Sequence, residues 1–251
     1  MRLPPSGALD TVGTPTGMPA SLAASAAAAL TVAMRVVIAG GHGKIALILE
    51  RLLADGGHEP LAIIRKPEHR ADVEAAGATA VVLDLEHTSV RELAEVLAGA
   101  DAAVFAAGAG PGSSAERKFT VDRDAAILLA DAADAAGVRR LVIVSAINVD
   151  RFDAASDDIF QIYLKAKSQA DAAVRNGDRD LDWTIVRPGS LTNDPPTGKV
   201  RVGTPLGKGR IPRADVAAVI AAVLENGLAV RVQFELVSGD APIVEALTAL
   251  G

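Results

Sequence analysis

From Met34 onward, short runs of β-branched and apolar residues alternate with longer stretches whose apolar positions return every three or four residues. The first run, Arg35 to Ala39, suits a strand buried on both faces. Ile45, Leu47, Ile48, Leu52 and Leu53 then mark one face of a helix that Asp55-Gly56-Gly57 stops. The same alternation predicts strands over Leu61–Ile64, Ala80–Leu83, Ala102–Ala107, Leu141–Val144 and Trp183–Val186. Helices over Glu68–Ala76, Val90–Leu97, Ala115–Ala136 and Asp158–Asn176 lie between them. A short strand over Val200–Val202, a helix over Ala214–Leu224, a strand over Gln233–Val237 and a helix over Pro242–Leu250 complete the pattern. Strand–helix units recurring at about 20 to 25 residues predict one doubly wound α/β domain over residues 34–251, with a mainly parallel sheet. Ligands then belong at the carboxyl ends of the strands.

The first strand runs directly into Gly40-Gly41-His42-Gly43-Lys44-Ile45, and the spacing Gly40-x-x-Gly43-x-x-Ala46 is a dinucleotide-binding fingerprint with alanine in third place. Strand, glycine turn and helix start together aim free N–H groups and the positive end of a helix dipole at one point, which suits a phosphate. A plain tight turn would use the same glycines. After the second strand come Arg65 and Lys66, with His69 and Arg70 close behind. Positive charge here accommodates the 2′-phosphate of NADP, whereas NAD-specific folds carry an acid; a solvated basic turn is the plainer reading. Asp84, just past the third strand, can accept from an adenine amino group while Leu85 packs on the ring, or it can cap a helix. Small residues at Ala106, Ala107 and Gly108 let backbone pass beneath the cofactor ribose.

Tyr163 and Lys167 are four residues apart on a predicted helix and project from one face. An ammonium beside a phenol lowers a pKa that starts near about 10, which equips tyrosine for acid–base work near neutrality. Ser145, delivered to the sheet edge by the fifth strand, is placed to hydrogen-bond a reacting oxygen. Asp122 sits among apolar neighbours inside a helix, where a carboxylate needs a partner, for which Lys118 is the near candidate. The loop from Ser190 to Gly198, leaving the sixth strand, is a natural substrate lid.

Half of the 251 residues are apolar, enough for one large core, and the net charge of −6 without a basic cluster argues against nucleic acid. Absence of cysteine excludes disulfides and thiol catalysis and fits a reducing cytoplasm; four scattered histidines make a metal site improbable. Residues 1–33, rich in proline and alanine, read as a disordered lead, as an export signal or as sequence ahead of a natural start at Met34. No later stretch is long and apolar enough to span a membrane.

In their order along the chain, GGHGKIA, IIRKPEH, DLE, VFAAGAG, FTVDRDA, VSAINVD, YLKAK, DWTIVRPGSL and IPRADVA resemble the atypical short-chain dehydrogenase/reductases, in the NAD(P)H-binding, epimerase/dehydratase-like group. The resemblance implies a single Rossmann domain that binds NADP(H), preferring NADPH to NADH. It places pyrophosphate on Gly40 to Ile45, 2′-phosphate on Arg65 and Lys66, adenine near Asp84 and Leu85, and nicotinamide near Pro188 and Leu191. Ser145, Tyr163 and Lys167 match the superfamily's catalytic set, with Lys167 also holding the nicotinamide ribose. Asp122 stands where better-studied branches carry an active-site Asn. The implied activities are reduction or oxidation of a small carbonyl or alcohol, or epimerisation by transient oxidation, in a monomer or homodimer. A non-catalytic NADP(H) sensor of the NmrA-like kind is the alternative.

Overall fold

The computed structural model describes residue 1 and residues 32–250. Contacts divide the chain after Val32. The expectation for residues 1–33 lies almost wholly outside the described residues, and all that follows concerns the unit beginning at Ala33.

The order is β1 (Arg35–Ala39), α1 (Lys44–Asp55), β2 (Glu59–Ile64), α2 (Arg70–Ala75), β3 (Thr79–Val82), α3 (Val90–Leu97), β4 (Ala102–Phe105), α4 (Ala115–Arg117), α5 (Ala125–Ala135), β5 (Arg140–Val144), α6 (Ile159–Asn176) and β6 (Asp182–Pro188). There follow β7 (Ser190–Thr192), β8 (Lys199–Gly203), β9 (Arg210–Pro212), α7 (Arg213–Glu225), β10 (Val232–Ser238), β11 (Ala241–Pro242) and α8 (Ile243–Thr248). Nine strands form one sheet in the order β11-β8-β10-β6-β5-β4-β1-β2-β3. All neighbours from β10 through to β3 are parallel, and only β8 and β11 run against their partners. The winding reverses between β1 and β4, where a crevice opens at the carboxyl ends.

Alternate residues of each strand serve two cores. Val36, Ile38, Val104, Val142 and Val186 pack with α1, α7 and α8, while Val37, Ala39, Phe105, Ile143 and Ile185 pack with α3, α5 and α6. The α5 side is mainly alanine, with Ala125, Ala126, Ala130, Ala132 and Ala133 buried.

Local detail departs from the expectations in three places. The helix expected over Ala115–Ala136 is present as one unbroken helical run, but its middle, Lys118–Asp124 between α4 and α5, winds as a wide π turn that carries Lys118, Val121 and Asp122 inward. The helix over Glu68–Ala76 is a 3-10 turn, Pro67–His69, followed by the shorter α2. β7 pairs with β9 as a small separate ladder, too short to show in the hydrophobic pattern.

One buried group opposes this packing. Glu50, on the core side of α1, is fully buried and neither carboxyl oxygen has a hydrogen-bond partner among the described residues. Burial pushes its pKa from 4.5 up to about 8. Between those values the folded state holds one proton more than the unfolded chain. Stability therefore falls as pH rises through this window, by about 1.4 kcal/mol per pH unit from this group, and levels off above it. Glu50→Gln is expected to remove that slope and to melt above the wild type at pH 8, as thermal unfolding between pH 5 and 9 would show.

Candidate active site

Gly40 has φ +85°, and a Cβ there would lie 2.5 Å from the Ala107 Cα. The bare turn is what lets β1 and the end of β4 approach. Gly40 and Gly41 both donate to the Ile63 carbonyl, at 3.2 and 2.9 Å, and Gly43 donates to the Gly40 carbonyl at 2.9 Å. Gly43 caps α1 without a side-chain hydrogen bond. The free N–H groups of the first turn keep their positive field.

A cleft of about 270 Å³ starts at this turn. Its floor is Gly40, His42, Gly43 and Ala106–Ala109; its outer wall is Ile63–Arg65, His69 and Leu83–Glu86, closed by Arg117 and Val121 from the helical side. The His42 and His69 rings stack at 3.7 Å, and the His42 Nε2 lies 2.8 Å from the Asp72 carboxylate. Asp84 accepts from the Glu86 N–H at 3.0 Å and contacts His87 at 3.1 Å. Arg117 donates to Glu86 from Nη2 at 2.7 Å and from Nε at 3.1 Å. Those bonds hold Glu86 below the usual carboxylate range.

Beyond Ala109 the polar groups interlock. Asp122 accepts the Ala109 N–H at 3.3 Å and stands 3.7 Å from the Lys167 ammonium, with both side chains buried. Lys167 donates to the Val144 carbonyl at 3.0 Å and lies 5.1 Å from the centre of the Phe105 ring. Burial lowers its pKa. Lys118 instead donates to the Gly110 carbonyl at 2.8 Å and covers the Tyr163 ring at 5.4 Å. Asp122 is thus partnered by Lys167 rather than Lys118. Tyr163 departs from the expected direction: burial, then the Asp122 and Asp171 carboxylates, raise its pKa. Ser145 donates to Asp171 at 2.8 Å, and Asp171 also accepts from Arg187 Nε at 2.8 Å. Arg187 reaches Asp150 with its remaining nitrogens, at 2.7 and 3.2 Å. The loop expected as a lid is anchored: buried Asp215 accepts from Thr197 and Gly198, and Arg213 donates to Asn193.

An NAD(P)H-binding family model matches residues 40–227, which spans the turn, the cleft and α6. The chain belongs to the NAD(P)H-binding family. A Bacillus subtilis relative named an uncharacterized sugar epimerase, YhfK, is 37% identical over 86% of this chain and all of its own length. A solved Bacillus halodurans protein, whose name places it among NAD-dependent epimerase/dehydratases, superposes with a TM-score of 0.78. It is 35% identical, over 86% of this chain and 100% of that one. The oxidoreductase ylbE of Lactococcus lactis superposes with a TM-score of 0.74, at 27% identity over 86% of this chain and 96% of its own.

Of the residues expected to hold the family's cofactor, the cleft brings together Gly40, His42, Gly43, Arg65, Asp84, Leu85, Ala106, Ala107 and Gly108. The others stand elsewhere. Gly41 faces Ala62, and Ile45 packs against the core. Lys44 borders a separate depression with Asn193 and Arg213, and Lys66 turns to Glu68 at 3.5 Å. Lys167 is buried behind Asp122, Pro188 is buried as the last residue of β6, and Leu191 is exposed on β7. Glu86, Arg117, Thr120 and Asp171 escaped the sequence reading. Only Asp171 left a signal there: four residues beyond Lys167 and eight beyond Tyr163, it continues their helical face.

Proposed function

We propose that the chain is an NADPH-dependent oxidoreductase that reduces a small carbonyl compound, the same parts also serving epimerisation by transient oxidation. Support for the cofactor comes from the Gly40 turn, which a Cβ would close, and from Arg65, a cation in the cleft wall that stands 3.5 Å from Glu86. The relatives named as epimerase and oxidoreductase agree with this class. A bound nicotinamide supplies or accepts the hydride.

The observation that carries the reading is the junction at Asp122, which fastens the cleft floor at Ala109 to the Lys167 ammonium one helical turn from Tyr163. Lys167 orients the strand end through Val144 and offsets the Asp122 charge. Tyr163, its pKa raised, keeps its proton at neutral pH and acts as the donor to a substrate oxygen as hydride arrives at the carbon. Ser145 donates its hydroxyl hydrogen bond to Asp171, so toward a substrate it offers lone pairs and positions a hydroxyl.

That internal commitment of Ser145 and Lys167 also favours a second reading, an NADP(H) sensor without turnover. The two readings separate in a screen of NADPH oxidation against small aldehydes, ketones and keto sugars. For an enzyme, Tyr163→Phe is expected to lower kcat about a hundredfold while leaving NADPH affinity unchanged. NADPH binding without turnover across the screen would leave the sensor; turnover untouched by Tyr163→Phe would remove Tyr163 from the chemistry.

A further inference from the structure

Glu86 places a carboxylate inside the cleft 3.5 Å from Arg65, the very guanidinium that a 2′-phosphate needs. Left alone, that carboxylate would hold Arg65 and repel a phosphate. It is not left alone. Arg117 donates twice to Oε2, at 2.7 and 3.1 Å, and the Thr120 hydroxyl donates to Oε1 at 2.7 Å. Glu86 is only 16% exposed and engaged on both oxygens by shorter bonds, whereas Arg65 is 44% exposed and keeps only the looser ion pair to it at 3.5 Å. Charge-assisted pairs of fork geometry are the strong ones, and here both nitrogens face Glu86 from the Arg117 side.

We propose that Arg117 and Thr120 are specificity-positioning residues: by saturating Glu86 they release Arg65 for the 2′-phosphate of NADPH. Discrimination between the two nucleotides then depends on a pair of residues remote from Arg65 in sequence, Arg117 at the end of α4 and Thr120 within the π turn. The inference rests on the NADPH preference proposed above. It adds that Glu86 is a built-in competitor for the phosphate, kept silent by its neighbours.

The test is a set of titrations with NADPH and NADH, read by nicotinamide fluorescence and repeated with 2′,5′-ADP and 5′-ADP. Wild-type protein is expected to prefer the 2′-phosphorylated member of each pair, and Arg65→Ala to lose that preference. Arg117→Ala is expected to weaken NADPH about fivefold to tenfold with little change for NADH, since the freed carboxylate recaptures Arg65. Adding Glu86→Gln to Arg117→Ala should restore NADPH affinity. A merely structural Arg117 would weaken NADPH and NADH alike, so the loss confined to the 2′-phosphorylated nucleotides, with its rescue, is what separates the two roles. Wild-type protein without preference would overturn the NADPH reading and this inference with it. Preference in the wild type that survives Arg117→Ala, or equal loss of both nucleotides without rescue by Glu86→Gln, would overturn the inference alone.

Discussion

Asp171→Ala is expected to destabilise the protein by about 3–5 kcal/mol, the cost of leaving a buried charge without its main partner. Asp171 is fully buried, and Arg187, itself 3% exposed, donates to it from Nε. Without that carboxylate Arg187 retains, among the described residues, only Asp150, whose side chain is 55% exposed, and Ser145 loses its acceptor. Burial raises the pKa of Asp171, while Arg187, Ser145 and Lys167 favour its charged form. Ser145→Ala removes one hydrogen bond from the same network and should cost about 1 kcal/mol. Urea unfolding of the two variants against wild type would separate these values. A loss below about 1 kcal/mol for Asp171→Ala would mean that Asp150 satisfies Arg187 unaided.

Gly40→Ala is expected to cost about 2–5 kcal/mol and to abolish nucleotide binding, because two penalties add there. Positive φ costs an L-residue about 1–2 kcal/mol, and an overpacked contact costs about 1–3 kcal/mol. The obstacle is the Ala107 backbone, 2.5 Å from the new Cβ, which has no rotamer to change. The strand end would have to move, and with it the cleft floor at Ala106–Ala109. A melting curve and an NADPH titration on the same sample would check both effects. Wild-type affinity in a folded Gly40→Ala protein would detach this turn from the nucleotide.

The parts legible in the sequence are those whose cause is local. RVVIA followed by GGHG needs nothing beyond its own neighbours to become strand and turn, and the regular spacing of such units implies the parallel sheet. Tyr163 and Lys167 were legible as a pair because helix geometry alone puts them on one face. What they face was not legible. Lys167 meets Asp122 across 45 residues, and the burial that reverses the expected effect on Tyr163 arises only when α6 docks on the π turn. Glu86 is 31 residues from Arg117, in a polar loop whose pattern is the same for a solvated acid and for a clamped one. Glu50 did break the local rule, standing between Leu49 and Leu53 where the apolar period calls for a hydrophobic residue.

The π turn between α4 and α5 constrains how the length of this chain can vary. Arg117 and Thr120 reach outward to Glu86, while Asp122, two positions on, reaches inward to Ala109 and Lys167. One inserted or deleted residue would rotate everything after it by about 100° on a helix. Either anchorage would then be lost, and the alanine face of α5 would turn out of the core behind it. Relatives of different length should therefore keep the interval from Arg117 to Asp122 fixed and accommodate their extra residues in the loop before Ser114 or after Gly137.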